Sequence, residues 1–138
     1  MRHDVRRAPM LCAALVFSAA ASAEGLSSMS RGWVFDEQGG EALFAHVCAA
    51  CHQPDAKGAV GAASYPALTG NENLASVGYL EALLFNGRRA MPPLGWMMSD
   101  QQMADVINYV RTHFGNANRD EVSAADVKAA RPNTEAAP

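Results

Sequence analysis

The sequence predicts an all-α fold of three to four helices, and three observations lead to this prediction. Apolar residues recur at helical spacing in three separate stretches. Residues typical of helix caps, serine before a stretch and glycine or asparagine after it, flank two of them. No segment alternates apolar and polar residues well enough to predict a strand. With 138 residues, the chain can hold one ordinary domain and not two.

The first 23 residues differ in composition from the rest. A basic "MRHDVRR" precedes the apolar "APMLCAALVFSAAA", and small residues follow in "ASAEG". This order is typical of a secretory signal peptide, which we expect to be cleaved after Ala23. The alternatives are weaker: a short buried helix would show a polar face and caps, and a lipid anchor on Cys12 would follow the apolar run rather than precede most of it. We therefore expect export to the periplasm.

Net charge and cysteine content exclude some classes of function. Residues 1–23 contain three arginines and one aspartate, so a formal net charge of −3 for the whole chain becomes −5 without them. An acidic protein lacks the basic surface that nucleic-acid binding requires. Only Cys48 and Cys51 then remain, in an oxidising compartment.

Two helices are predicted before residue 87. The first extends from about Gly40 to Ala49 and follows a lead-in with little periodic pattern. A long loop rich in glycine, proline and asparagine comes next, and its length suggests that it wraps around something. The second helix lies in "LASVGYLEALLFNG", where Ser76 is a candidate N-cap and Asn86-Gly87 ends the helix.

The clearest helix is "SDQQMADVINYVRTHFGN". Ser99 and Gln102 match a capping box, Gly115 is a stop signal, and an apolar stripe is formed by Met103, Val106, Ile107, Val110 and Phe114. Arg111 and His113 lie where the helix dipole favours positive charge. We assign residues 24–116 to one domain and 117–138 to a polar C-terminal tail, with at most one short helix after Ser123.

The motif "CAACH" at residues 48–52 has four possible uses. A disulfide between Cys48 and Cys51 would close a small ring and stabilise weakly. A thioredoxin-type redox pair requires a strand–helix–strand unit, and no strand is predicted. A zinc site needs four ligands, and no second pair at finger spacing exists. The fourth use, covalent haem attachment with His52 as an iron ligand, suits the spacing, because residues three apart share one side of a helix.

The stretch "RRAMPPLGWMM" offers candidates for a second iron ligand. An electron carrier fills both axial positions, and histidine with methionine is one common pair. Met91 precedes Pro92 and Pro93, which stiffen the loop and keep it out of a helix. Met97 and Met98 are the rival ligands, and any of these methionines could instead fill a gap in the core.

With these motifs in order, residues 36–116 resemble the small, single-haem cytochromes c of bacteria that use histidine and methionine ligands. The matching pieces are "GGEALFAHVCAACH", "YPALTGN", "NGRRAMPP" and "MSDQQMADVINYVR". The resemblance implies a cytochrome c fold, with three to four helices wrapped around one covalently bound haem c. It also implies that Cys48 and Cys51 form the thioethers and that His52 and Met91 ligate the iron.

The resemblance assigns further roles. Gly40 and Phe44 on the first helix would cross the last helix of the domain at Tyr109, where glycine permits close approach. The carbonyl of Pro66 would accept a hydrogen bond from His52 and so orient the imidazole.

Three other residues near the motifs have more than one interpretation. Arg88 and Arg89 could pair with a haem propionate, form a docking face for an acidic partner, or be a solvated pair. Trp96 could pack over the haem or a propionate, where its N–H would find a partner. His46 and His113 are expected to be exposed.

We expect an electron carrier rather than an enzyme. The donor would be a periplasmic dehydrogenase, which the sequence of the tail suggests by resemblance, and the acceptor a terminal oxidase or another cytochrome. A haem-based sensor or haem enzyme with an exchangeable sixth ligand is the alternative, and a structural subunit is a third class.

Overall fold

The computed structural model describes residues 34–61 and 63–133, and this part of the chain is mainly helical. The predicted signal peptide, including Cys12, lies outside the described residues. None of the described helices is both long and apolar enough to cross a membrane.

The first helix covers residues 40–52 and changes its winding in the middle. It is α-helical over Gly40–Leu43, π-helical over Phe44–Cys48 and α-helical again over Ala49–His52. A π-helical turn accommodates one more residue than an α-helical turn and is often found at functional sites. The sequence predicted a helix only as far as Ala49. The structure continues it to His52, so the whole CxxCH motif lies on the helix.

The second helix, Val77–Asn86, begins and ends at the predicted caps. The side chain of Ser76 accepts a hydrogen bond from the Tyr79 backbone, and Gly87 takes a positive φ of 66° at the C-terminus. A short 3-10 turn, Glu72–Ala75, precedes this helix. Another, Leu94–Met97, interrupts the loop that was predicted between the second and third helices.

The long helix, Asp100–Thr112, begins with the predicted capping box. Ser99 accepts from the Gln102 backbone, and the Gln102 side chain accepts from the Ser99 backbone. The same Gln102 donates to the carbonyls of Phe35 and Glu37, which fastens the lead-in to the helix start. The helix ends before Gly115, which has a positive φ of 80°.

The first helix crosses the long helix where the resemblance places the contact. A Cβ at Gly40 would overlap the carbonyl oxygen of Asp105 and lie 2.5 Å from the Tyr109 Cβ. The ring centroids of Phe44 and Tyr109 are 5.7 Å apart, and the Phe114 ring lies 4.6 Å from Phe44 and 5.6 Å from Tyr109, so the three rings form one cluster. This crossing anchors the helix that carries the CxxCH motif.

The segment after residue 116 packs against the domain. A C-terminal helix, Ala124–Ala130, follows Ser123, which forms a second capping box with Asp126. Val127 is fully buried, and Val122 is nearly so. Backbone groups of Val122 also form two hydrogen bonds with the Asn108 side chain. The stretch that we described as a polar tail therefore contributes apolar side chains to the core.

The long loop contains one element that the sequence did not predict. Ala59–Val60 and Ser64–Tyr65 pair as two short antiparallel strands, with Ala59 opposite Tyr65 and Val60 opposite Ser64. The expectation that the chain has no strand is thus wrong at this point. Two residues per strand are too few for an alternating pattern to stand out from the sequence.

Candidate functional site

The two cysteines lie on the last turns of the first helix. Cys48 ends the π-helical turn, Cys51 lies within the closing α-helical turn, and both are half-buried free thiols. Burial raises the pKa of the Cys48 thiol to about 11, and the neighbouring Cys51 adds to the shift. A thiol with this pKa is protonated at neutral pH, whereas a thiol–disulfide oxidoreductase needs a reactive thiolate.

His52 follows directly and is held by one contact. Its Nδ1 atom lies 2.9 Å from the carbonyl oxygen of Pro66. A carbonyl can only accept, so the proton of the neutral ring lies on Nδ1. The lone pair of Nε2 is then available to a metal, and the hydrogen bond fixes the direction of the ring. This is the contact that the resemblance implied for Pro66.

The long loop brings Pro66 back to the first helix. The backbone N–H of Gly58 donates to the His52 carbonyl at 2.9 Å, which starts the return. Gly58 has a positive φ of 67°, and a Cβ there would overlap the carbonyl oxygen of Tyr65 and lie 2.8 Å from that of Pro66. The missing side chain thus leaves the space that the backbone carbonyls of Tyr65 and Pro66 occupy. Sequence reasoning did not single out Gly58, although a glycine six residues after the motif was a visible signal.

Met91 lies at the end of a closed turn. Arg88 and Met91 exchange two backbone hydrogen bonds, of 2.9 and 3.0 Å, and Arg89 between them has a φ of 54°. The Met91 side chain is half-buried and packs against the core. A rigid turn of this kind suits a side chain that must be held at one place.

The rival methionines have different surroundings. Met98 is 4 % exposed and belongs to the hydrophobic core, while Met97 is half-buried at the end of the Leu94–Met97 turn. The core position of Met98 accounts for that residue by packing alone.

The remaining candidates make contacts within the protein. Arg88 and Arg89 are exposed, and Arg88 donates to the Tyr79 hydroxyl at 3.4 Å. The indole N–H of Trp96 donates to the carbonyl of Phe85 at 2.9 Å. That donor is therefore satisfied by the protein. Trp96 as a residue is 41 % exposed, so a contact with a cofactor would use the face or edge of its ring.

His46 and His113 are exposed, as the sequence predicted. His46 lies 3.3 Å from the Glu37 carboxylate, and the His113 ring stacks on Tyr109 with centroids 4.1 Å apart.

The residues at the CxxCH motif fit a covalently bound haem better than the alternatives. Two free thiols and an imidazole with its Nδ1 proton already engaged form a donor set for one porphyrin and its iron. Within residues 34–61 and 63–133, no three His, Cys, Asp or Glu side chains converge as a zinc ion would require.

A comparison with protein families also points to a haem protein. Residues 36–110 match the family model described as "Cytochrome C oxidase, cbb3-type, subunit III", which is more than half of the chain. The protein is a cytochrome c, a class in which haem c transfers electrons. Specifically, the chain belongs to the family of this cbb3-type cytochrome c domain.

Several relatives are cytochrome subunits of dehydrogenases. The gluconate 2-dehydrogenase cytochrome c subunit of Pantoea cypripedii is 33 % identical over 110 residues, which cover 70 % of this chain and 24 % of the relative. The fructose dehydrogenase cytochrome subunit of Gluconobacter japonicus is 37 % identical over 107 residues, covering 67 % and 22 %. The quinone alcohol dehydrogenase cytochrome c subunit of Gluconacetobacter polyoxogenes is 35 % identical over 97 residues, covering 58 % and 19 %. The chain thus spans about a quarter or less of each of these relatives.

Proposed function

We propose that this protein is a periplasmic cytochrome with a single haem c that carries one electron at a time between redox partners. The observation that carries the proposal is the bond between His52 Nδ1 and the Pro66 carbonyl, because it prepares Nε2 as an iron ligand directly beside two free thiols. Family membership supports the same chemistry. When bound, haem c supplies a one-electron couple between ferric and ferrous iron.

The chain holds the cofactor with four side chains in this proposal. Cys48 and Cys51 would hold haem c through two thioethers, each formed by adding one S–H across one vinyl group, which needs no oxidant. His52 and Met91 would both ligate the iron. A thioether ligand raises the reduction potential. With both of these residues bound to the iron, no coordination position would remain for a substrate.

A dehydrogenase is the proposed electron donor, and an oxidase or another cytochrome is the acceptor. The relatives named above support the donor, since their names describe them as cytochrome subunits of dehydrogenases. The signal-like residues 1–23 support a location in the periplasm.

Arg88 and Arg89 are proposed as the docking point for an acidic patch on a partner. They are exposed and adjacent, and they belong to the same turn as Met91. Opposite charges on a partner would speed the encounter and make its rate depend on salt. Replacing both by Gln and Asn, respectively, should slow electron transfer from the donor and weaken its salt dependence. The exposed Arg119, changed to Gln, is the matched control.

The decisive experiment tests the ligands in protein exported by a host with a working haem-attachment system. We expect covalent haem in the wild type, together with the long-wavelength ferric absorption band of iron–methionine ligation. The Met91→Ala variant should lose the band and keep the covalent haem. The Met97→Ala variant should keep both.

Other outcomes would reject the proposal or its details. A colourless wild-type protein would reject haem binding altogether. A ferrous wild type that binds carbon monoxide readily would favour the sensor or haem enzyme, because its sixth position would then be open. Loss of the band in Met97→Ala or Met98→Ala, and not in Met91→Ala, would assign the ligand to that residue instead.

A further inference from the structure

Arg131, just past the C-terminal helix, makes more contacts with a distant loop than with its own segment. Its Nη1 donates to the Gly95 carbonyl at 3.0 Å and its Nη2 to the Met98 carbonyl at 3.1 Å. Its Nε donates to the Asp100 carboxylate at 2.8 Å. The guanidinium also lies over the Phe85 ring, 4.9 Å from the centroid.

The contacts of Arg131 join both ends of one loop. Gly95 and Met98 lie in the part of the loop that comes after Met91 and the two prolines. Asp100 is the first residue of the long helix. Phe85 lies on the second helix before the Arg88–Met91 turn, and its carbonyl accepts the Trp96 N–H. One guanidinium therefore fixes the exit of this loop relative to the helix at its entry.

Arg131 follows directly after a helix that is anchored in the core. The C-terminal helix is anchored by the fully buried Val127 and by the Ser123–Asp126 capping box. Arg131 is 22 % exposed and forms an ion pair with Asp100, of which 29 % is exposed. Charge-assisted hydrogen bonds that are partly shielded from water are stronger than bonds between neutral groups. The helix thus supplies a rigid support for the contact.

We propose that Arg131 is a positioning residue that keeps the Met91 loop closed over the haem iron. The proposal rests on the proposed function, in which Met91 is the sixth ligand. Arg131 lies outside residues 36–110, so the match to the family model does not include it. It touches neither the haem nor its ligands in this account, and it acts only on the loop.

The effect follows from competition for the sixth position. An external ligand binds iron only when the methionine has left, so its apparent affinity scales with the open fraction of the loop. Removing the Arg131 contacts lowers the cost of opening. The open fraction should then rise, while the closed state keeps the same iron–methionine bond and spectrum.

The test compares imidazole binding to the ferric holoprotein in the wild type, Arg131→Gln and Arg131→Lys. We expect imidazole to bind about tenfold more tightly to Arg131→Gln, as loss of roughly one charge-assisted hydrogen bond would produce. Arg131→Lys should bind with intermediate affinity, because an ammonium can keep the ion pair but not the fork of donors. Backbone hydrogen exchange of residues 91–98 should rise in the same order.

Two control variants separate this role from a general loss of stability. Arg119→Gln makes the same chemical change at an exposed position of the C-terminal segment. Ile107→Val weakens the core of the long helix without touching Arg131. Both should leave imidazole affinity within twofold of the wild type.

Each remaining result has one meaning. Equal imidazole affinity in the wild type and Arg131→Gln would overturn the positioning role, whatever happens to hydrogen exchange. An equal rise in Ile107→Val would overturn it as well, because stability alone would then explain the effect. A wild type without iron–methionine ligation would overturn the proposed ligand itself, and hydrogen exchange would then show separately whether Arg131 holds the loop.

Discussion

The Nη2 atom of Arg111 lies 2.7 Å from both carboxylate oxygens of Asp120. Arg111 is 1 % exposed at the end of the long helix, and it also donates to the carbonyls of Leu74 and Ala75. One buried guanidinium thus connects the long helix, the turn before the second helix, and the C-terminal segment. Hydrogen bonds from Arg111 hold the pKa of Asp120 below its ordinary value of 3.8.

The lowered pKa of Asp120 predicts how stability depends on pH. A carboxyl group whose folded-state pKa is depressed stabilises the fold above its unfolded-state pKa, and the contribution is lost as the pH falls through the folded-state value. Asp120→Asn should therefore reduce the free energy of unfolding at neutral pH and have little effect well below pH 3.8. Urea unfolding at the two pH values measures the difference.

The exposed neighbour Glu121 provides the control for Asp120. Glu121→Gln removes the same charge and should change stability little at either pH. If Asp120→Asn and Glu121→Gln behave alike, net charge and not the contact with Arg111 would explain the effect.

Gly40→Ala should destabilise the helix crossing. The added methyl group would overlap the Asp105 carbonyl and the Tyr109 Cβ. Overpacking of this kind costs about 1–3 kcal/mol. Gly78→Ala is the matched control, because it lies in the second helix with open space around it and should stabilise if anything. Thermal unfolding of both variants checks the prediction, and an unaltered Gly40→Ala protein would contradict the close crossing.

Gly58→Ala should disturb the orientation of His52 without removing any proposed ligand. The new Cβ would overlap the Tyr65 carbonyl oxygen and come within 2.8 Å of the Pro66 carbonyl oxygen, so this stretch of backbone would have to move, and an alanine is strained at a φ of 67°. The Nδ1 proton of His52 should then exchange faster with solvent, which NMR of the ferrous holoprotein would measure. Gly61→Ala, where a Cβ meets open space, should leave the proton protected. Equal exchange in both variants would show that the space at Gly58 is not needed.

Val127→Ala tests whether the C-terminal helix belongs to the cooperative domain. Val127 is fully buried, so losing two methyl groups at roughly 0.8 kcal/mol each, with a cavity besides, should lower the free energy of unfolding by about 2 kcal/mol. The exposed Lys128, changed to Ala, should have little effect. A Val127→Ala protein as stable as the wild type would mean that this helix unfolds separately.

Local signals predicted the starts of the serine-capped helices well, whereas the first helix extends three residues beyond its predicted end at Ala49. The serine caps at Ser76 and Ser99 are present, and a third at Ser123 begins the short helix that was expected in the tail. Such caps depend on residues within one turn of each other, so a sequence contains all the information needed. Membership of the cytochrome c class was likewise visible in residues that are adjacent in the chain.

Contacts between distant residues were not predictable in the same way. Arg111 was interpreted only through the helix dipole, whereas its partners lie up to 37 residues away in the sequence. Nothing in the sequence marks Arg131, because a single arginine in a polar segment usually faces solvent. The roles assigned to Cys48, Cys51, His52 and Met91 as haem ligands stay predictions until the spectra above are measured.

The π-helical turn Phe44–Cys48 determines how the side chains before it are rotated about the helix axis relative to those after it. At its N-terminal end Phe44 packs against Tyr109, and at its C-terminal end lies Cys48, the first residue of the CxxCH motif. Each residue of an α-helix advances the direction of the side chain by about 100°. Because the π-helical turn takes one residue more than an α-helical turn, deleting one residue here and restoring regular winding would leave the CxxCH motif in nearly its present direction. The stretch from Phe44 to Cys48 therefore has one residue more than a regular α-helix would need to point these two residues in the same two directions.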